Sequence, residues 1–129
     1  MSPTLTITNT TRAKLPRLAF ESMKNHVLSP SYILSVVLVG DKRSADLNFK
    51  YRGKRGPTDI LSFKLTSNEG ELFFNLTEVK KHARTAGRSF ENFLAFLFIH
   101  GLLHLKGLTH GSKMESKEKQ VRKKFGIDT

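Results

Sequence analysis

Three of the five histidines fall within eleven residues, in the run His100-Gly101-Leu102-Leu103-His104-Leu105-Lys106-Gly107-Leu108-Thr109-His110. His100 and His104 stand at i and i+4, so on a helix their rings leave the same face one turn apart. That spacing lets two imidazoles meet one cation at the roughly 2.0–2.1 Å of zinc–nitrogen bonds. Gly107 is the expected helix terminator, because glycine takes the left-handed conformation without steric cost. The turn would bring His110 back toward the same ion. Three His ligands leave a fourth position open for water, the arrangement of a catalytic site. A lone His on an apolar helix is ordinarily a hydrogen-bonded core residue. Three at this spacing would leave several ring nitrogens to satisfy inside a core, and a metal answers that need at once. His26 and His82 stand alone on expected amphipathic helices and read as structural or solvated.

The spacing H-x-x-x-H-x-x-G-x-x-H is also that of the metzincin proteases, in which a Glu follows the first His and acts as general base. Here that position is Gly101, which has no side chain to take a proton. Peptidase chemistry of that kind therefore lacks its base, and a metallopeptidase is the least favoured reading. A bound metal still lowers the pKa of its water toward roughly 7, so hydrolysis by another route stays open.

The charge points to the substrate class. The chain has 129 residues and 22 Lys+Arg against 11 Asp+Glu, a formal charge of +11. A field of that sign favours polyanions: RNA, DNA or an anionic membrane. Basic residues recur at Lys42-Arg43, Lys50–Arg55, Lys80-Lys81 and from Lys113 to Lys124, so the charge is not one tail. Within Lys50-Tyr51-Arg52-Gly53-Lys54-Arg55, Tyr51 is placed either to stack on a base or to pack inward. No cysteine is present, which removes disulfides, thiolate zinc sites and Cys nucleophiles together. The most apolar stretch, Phe93–Leu105, is 13 residues with two His inside it. A membrane span needs roughly 20, so this is expected to be a buried helix. Met1 to Leu18 has no apolar leader-like run, and the expected location is the cytoplasm.

The elements that must position these groups follow from periodicity and punctuation. The length suits one domain, and 38% hydrophobic residues with ten Phe are enough for one core. Thr4–Thr8 reads as a short strand, Arg12–Leu28 as an amphipathic helix, and Tyr32–Val39 as a strand closed by Gly40-Asp41. Ser44–Lys50 reads as a short helix before a Gly53–Pro57 loop. Ile60–Leu65 and Glu71–Leu76 read as a hairpin turning through Ser67–Gly70. Thr77 is expected to cap a helix to about Ala86, stopped by Gly87. Ser89 opens the next helix, apolar nearly all round from Phe93 to Leu105, which belongs at the centre of a domain. Ser112-Lys113-Met114-Glu115 fits a capping box for a basic helix reaching about Lys124. The interleaving predicts a small mixed α/β or α+β domain.

His100 to His110 resembles the H-G-x-L-H-L-x-G-x-D-H motif of the YbeY family of bacterial rRNA maturation factors, which are metal-dependent endoribonucleases. Leu47-Asn48-Phe49-Lys50-Tyr51-Arg52-Gly53-Lys54, followed by Pro57-Thr58-Asp59-Ile60-Leu61-Ser62-Phe63, is similar to that family's L-N-x-x-Y-R-x-K-D-x-P-T-D-V-L-S-F segment. Glu71 stands where the family usually has Asp in a G-D-I-x-I strand. The likeness covers most of the chain from about Tyr32 onward, and the two motifs are specific together.

The resemblance implies one α+β domain over residues 1–129, with a mixed four-stranded sheet packed around a buried central helix carrying the ligands. It implies zinc on His100, His104 and His110, and a functional Arg52 facing the metal across a cleft. A guanidinium there can grip phosphate at two points and offset charge developing in the transition state. Lys54 and Arg55 would then hold the RNA backbone without choosing sequence. The implied substrate is single-stranded rRNA, in small-subunit rRNA maturation and ribosome quality control, with the ribosomal small subunit and its factors as partners. Thr109 replaces the family's Asp before the last ligand, and Arg55 replaces an acidic residue. A hydroxyl is no general base near neutral pH, so Thr109 cannot take a proton in that Asp's place. The competing reading is a non-catalytic ribosome-assembly module with structural zinc, for which Glu115 or Glu118 would supply a fourth ligand.

Overall fold

A computed structural model describes residues 3–127. The chain runs β1 (Leu5–Asn9), α1 (Phe20–Val27), β2 (Ile33–Leu38), α2 (Asp41–Arg52), β3 (Ile60–Thr66), β4 (Glu69–Phe74), α3 (Leu76–Ala86), α4 (Phe90–Lys106) and α5 (Ser112–Lys124). The strands form one mixed sheet in the order β1-β2-β4-β3. β1 and β4 both lie parallel to β2, and β3 returns antiparallel to β4 through the expected hairpin.

One face of the sheet presents Leu34, Val36, Leu38, Leu72 and Phe74, all essentially without solvent exposure. Against it lies α4, which buries Leu94, Phe98, Ile99, Leu102 and Leu103. α1, α3 and α5 pack around α4, so it runs through the middle of the molecule as its continuous apolar sequence requires. Gly101 marks the closest approach. A Cβ there would come within 2.8 Å of Ile60 Cδ1 and 3.0 Å of Leu72 Cδ2. Residue 101 therefore faces the sheet, and a metzincin-type Glu could neither fit there nor reach the ligands.

Several boundaries differ from the expected ones, each for a local reason. α1 starts at Phe20 rather than Arg12. Pro16 has no N–H to give a helix and disfavours helical backbone at the residue before it. Upstream, Asn9 Oδ1 accepts from Thr11 N at 2.9 Å while Asn9 Nδ2 donates to Ala13 O at 2.7 Å, holding a turn instead. Leu15 and Leu18 still pack on the core from this non-helical segment. β4 occupies residues 69–74, so Leu76 opens α3 and the cap is Asn75, not Thr77. Asn75 Oδ1 accepts from Thr77 N and Glu78 N, and its Nδ2 donates to Asp41 Oδ1 at 2.8 Å, tying the starts of α2 and α3 together. At α5 the cap position is Gly111 with no side-chain cap, so Ser112 is the first helical residue and makes no capping box.

α2 is longer than expected, from Asp41 to Arg52, and ends on Gly53 at φ +67°. That end matters because Arg52 is the last helical residue. The loop behind it is fastened to α2. Ser44 Oγ donates to Thr58 O and accepts from Thr58 N, both at 2.8 Å, and Asn48 Nδ2 donates to Gly56 O at 3.0 Å. The loop delivers Asp59 and β3 to the edge of α4.

Candidate metal centre

α4 is capped by Ser89, whose Oγ accepts from Asn92 N at 3.1 Å, and it ends on Gly107 at φ +106°. Leu108 N then donates to Leu103 O at 3.0 Å, closing the left-handed helix stop that the sequence indicated. The reversal returns His110 to the face bearing His100 and His104. The ring centroids stand 4.5 Å apart for His100–His104, 5.3 Å for His100–His110 and 5.0 Å for His104–His110. One ligand nitrogen from each lies within 4.8 Å of the others, with His100 and His104 half-buried and His110 exposed.

Hydrogen bonds decide which nitrogens are available. His104 Nδ1 is 3.2 Å from Leu108 O, and a carbonyl can only accept, so this nitrogen carries the proton. His100 Nδ1 donates in the same way to Glu118 Oε1 at 2.8 Å. Both Nε2 atoms are then lone-pair acceptors, yet they face each other at 3.0 Å. Two lone pairs at that distance repel each other, and a cation bound between them would turn that repulsion into coordination. Two zinc–nitrogen bonds at a tetrahedral angle would separate the nitrogens by about 3.3 Å. Burial first, and then the neighbouring His100 and His110, hold the His104 imidazolium below its ordinary pKa of 6.5. A depressed pKa favours the neutral ring that a metal requires. The donor set fits zinc.

Glu118 is thus not a fourth ligand. It touches the far nitrogen of His100, is buried, and is itself held by Arg122 Nη1 at 3.4 Å. This carboxylate–histidine arrangement fixes tautomer and ring orientation and raises the basicity of the ligand. Glu115 is exposed and outside the cluster. Glu118→Gln is expected to weaken zinc affinity by roughly 10- to 100-fold with the fold retained, read by competition against a chromophoric chelator. Unchanged affinity would show that His100 needs no such partner.

The histidines open onto a cleft of about 620 Å³. Arg52, Lys54 and Lys64 line it together with Asp59, Ser62 and the three His, and Leu97 and Leu105 form apolar wall. Arg52 Nη2 donates to Ile60 O at 3.2 Å, which anchors the guanidinium at the cleft while the residue stays solvent-exposed. Lys54 belongs to the same cleft, whereas Arg55 is exposed on the loop and does not line it. Lys64 was not legible as a site residue, since nothing in its strand marks it. Tyr51 does not pack inward. It stays exposed on the other side of the sheet, its ring edge-on to Phe63 at 4.8 Å, in a groove that also holds Arg43 and Glu71.

His82 is not alone either. Its Nδ1 lies 2.8 Å from Asp59 Oδ2 and its Nε2 lies 3.5 Å from Glu78 Oε2. The Glu78–His82 pair has i, i+4 spacing, the one sequence signal that could have drawn attention to it. His26, by contrast, packs edge-on to Phe125 at 5.8 Å away from the cleft.

The family model described as Endoribonuclease YbeY matches residues 3–126. An Endoribonuclease YbeY from Helicobacter pylori is 35% identical over 130 residues, covering 95% of this chain and 92% of that protein. Another, from Petrotoga mobilis, is 33% identical over 117 residues, covering 88% of this chain and 78% of its own. The solution structure of a Thermotoga maritima protein superposes with a TM-score of 0.67 at 25% identity, covering 95% of this chain and 89% of the other.

Proposed function

The chain belongs to the YbeY family of endoribonucleases, and from that premise we propose a zinc-dependent, single-strand-specific endoribonuclease acting in small-subunit rRNA maturation and ribosome quality control. The proposal treats residues 1–129 as one catalytic domain, working in the cytoplasm on the ribosomal small subunit with its associated factors. One observation carries it. Two imidazole lone pairs converge at 3.0 Å beside a third His, in a cleft whose other lining residues include three cations.

His100, His104 and His110 would hold the zinc, with His100 and His104 oriented by Glu118 and the Leu108 carbonyl. Zinc bound there supplies Lewis acidity toward a phosphoryl oxygen and makes bound water more acidic. Arg52, steadied by the Ile60 carbonyl, grips a non-bridging phosphate oxygen pair and offsets the negative charge that builds as the bond breaks. Lys54 and Lys64 draw the RNA backbone into the cleft without reading sequence. Arg55, outside the cleft, extends that field to flanking phosphates. Leu97 and Leu105 keep part of the wall dry, which strengthens each of these interactions.

The assembly-module reading needed a fourth protein ligand. Among the described residues no carboxylate joins the three His, which supports an open coordination site. The peptidase reading lacks a base, since Gly101 is pressed against Ile60 and Leu72.

The test compares zinc-loaded and chelator-stripped protein on a single-stranded RNA and on its duplex. Cleavage of the single strand is expected only with metal, and the duplex is expected to resist. Binding of the single strand should weaken by about tenfold or more between about 50 and 200 mM salt, as neutralised phosphates release counterions. Intact RNA with fully loaded protein would remove the catalytic reading and leave the assembly module.

A further inference from the structure

Cleaving a phosphodiester requires a group to receive the proton of the attacking hydroxyl. Neither Gly101 nor Thr109 can serve, and the histidine lone pairs would be taken up by a bound metal. We propose that Asp59 is that proton acceptor and that His82 positions it, an assignment resting on the RNA-cleaving reading above. Asp59 is the one carboxylate among the described residues that line the cleft. Every other charged side chain there is a cation or a histidine.

The local structure holds Asp59 at two points, its backbone carbonyl and its carboxylate. Its backbone carbonyl accepts from Asn75 N at 2.9 Å, so the residue is tied to the start of α3. Its Oδ2 lies 2.8 Å from His82 Nδ1, and as a carboxylate oxygen it accepts. On its far side His82 Nε2 lies 3.5 Å from Glu78 Oε2. Asp59 is only 17% exposed at the side chain, whereas His82 is 46% exposed. The next residue, Ile60, gives its carbonyl to Arg52 and packs its side chain beside Gly101 on α4. Asp59 therefore immediately precedes the residue that both anchors Arg52 and packs on the helix carrying His100 and His104. With Oδ2 engaged by His82, Oδ1 is the oxygen left for substrate.

The chemistry balances without any further reagent. The attacking hydroxyl, of water or of the RNA ribose, passes its proton to Asp59 Oδ1 as its oxygen forms the new bond to phosphorus. The phosphorus–O5′ bond breaks, and the leaving 5′-oxygen takes a proton from solvent water. Asp59 then releases its proton to solvent, and no net acid or base is consumed by the enzyme. His82 acts through Asp59 by engaging Oδ2 and leaving Oδ1 for the substrate, which makes it a positioning residue.

The experiment uses the zinc-loaded full chain and a fluorescent single-stranded RNA. Asp59→Asn keeps an oxygen for His82 but cannot take a proton, and kcat is expected to fall by roughly 100-fold or more. Zinc content should stay at the wild-type level, and RNA affinity should be equal or slightly tighter, because a negative charge has left a phosphate-binding cleft. Asp59→Ala should recover part of its rate in concentrated formate, which supplies a carboxylate to the vacated space. His82→Ala should lower kcat by roughly tenfold with KM unchanged, and His82→Gln, which restores an N–H donor, should recover most of that loss. Asp59→Asn cleaving at the wild-type rate overturns the assignment while leaving the RNase reading intact. So does a loss explained by zinc content or RNA affinity. Wild-type protein that cleaves no RNA overturns both.

Discussion

Arg52→Ala is expected to lower the rate of RNA cleavage by roughly a hundredfold or more, while zinc content and fold persist. The magnitude is that of a removed electrostatic stabiliser, a few kcal/mol of transition-state interaction. Little stability is at stake, because Arg52 is exposed and, among the described residues, makes a single hydrogen bond at 3.2 Å, to Ile60 O. Nor does the residue touch the histidines, whose orientation depends on Glu118 and Leu108. Arg52→Lys should rescue little, since an ammonium cannot reproduce a planar two-point grip. RNA affinity should change far less than kcat, because Lys54 and Lys64 still attract the backbone. Stopped-flow cleavage at saturating RNA, with zinc measured on the same samples, checks this. A variant that cleaves normally, or one that loses affinity and rate in proportion, would make Arg52 an anchor only.

His104→Ala is expected to strip the protein of most of its zinc and abolish cleavage. His104 is central to the cluster: its Nε2 meets that of His100 at 3.0 Å, and its ring is 5.0 Å from that of His110. Without it, two imidazoles remain on a cation that needs at least three protein ligands. Binding free energy lost from the folded state is stability lost, about 4 kcal/mol for a metal at a thousand times its dissociation constant. The melting temperature of zinc-loaded wild type should therefore exceed that of the variant by about 15 °C, and the two should converge in excess chelator. Convergence matters because His104 is also half-buried and cavity effects could mimic a metal effect. Equal zinc stoichiometry in the two proteins would refute the site.

The cluster of His100, His104 and His110 could be found in the residue string because it depends on geometry that repeats. Four residues along a helix bring two side chains to one face, whatever the rest of the protein does. A glycine after the last apolar turn stops a helix in most surroundings, and Gly53, Gly87 and Gly107 all do so here at positive φ. The apolar run of α4 likewise dictated a buried central helix, and turn residues between two strand-like segments pointed to the β3–β4 hairpin. Net charge needs no structure at all. The family-like segment around Arg52 was readable for the same reason, as a contiguous stretch of sequence.

Tertiary structure decided which groups support and complete that site. Glu118 is 18 residues from His100, and Asp59 is 23 from His82, separations at which no periodicity relates two side chains. Only the packing of α5 on α4 turns Glu118 from a possible ligand into the group that orients one. Only the docking of α3 beside the start of β3 sets His82 against Asp59. Gly101 told of a missing base, but its reason for being glycine lies in Ile60 and Leu72, on strands remote in sequence. The misplaced starts of α1 and α3 have the same origin on a smaller scale. Asn9 and Asn75 spend their side chains on particular backbone partners, and those hydrogen bonds outweigh the weak helical preferences of the neighbouring residues. Local geometry is encoded residue by residue, whereas the partners of a polar side chain are chosen by whichever surfaces the hydrophobic core brings together.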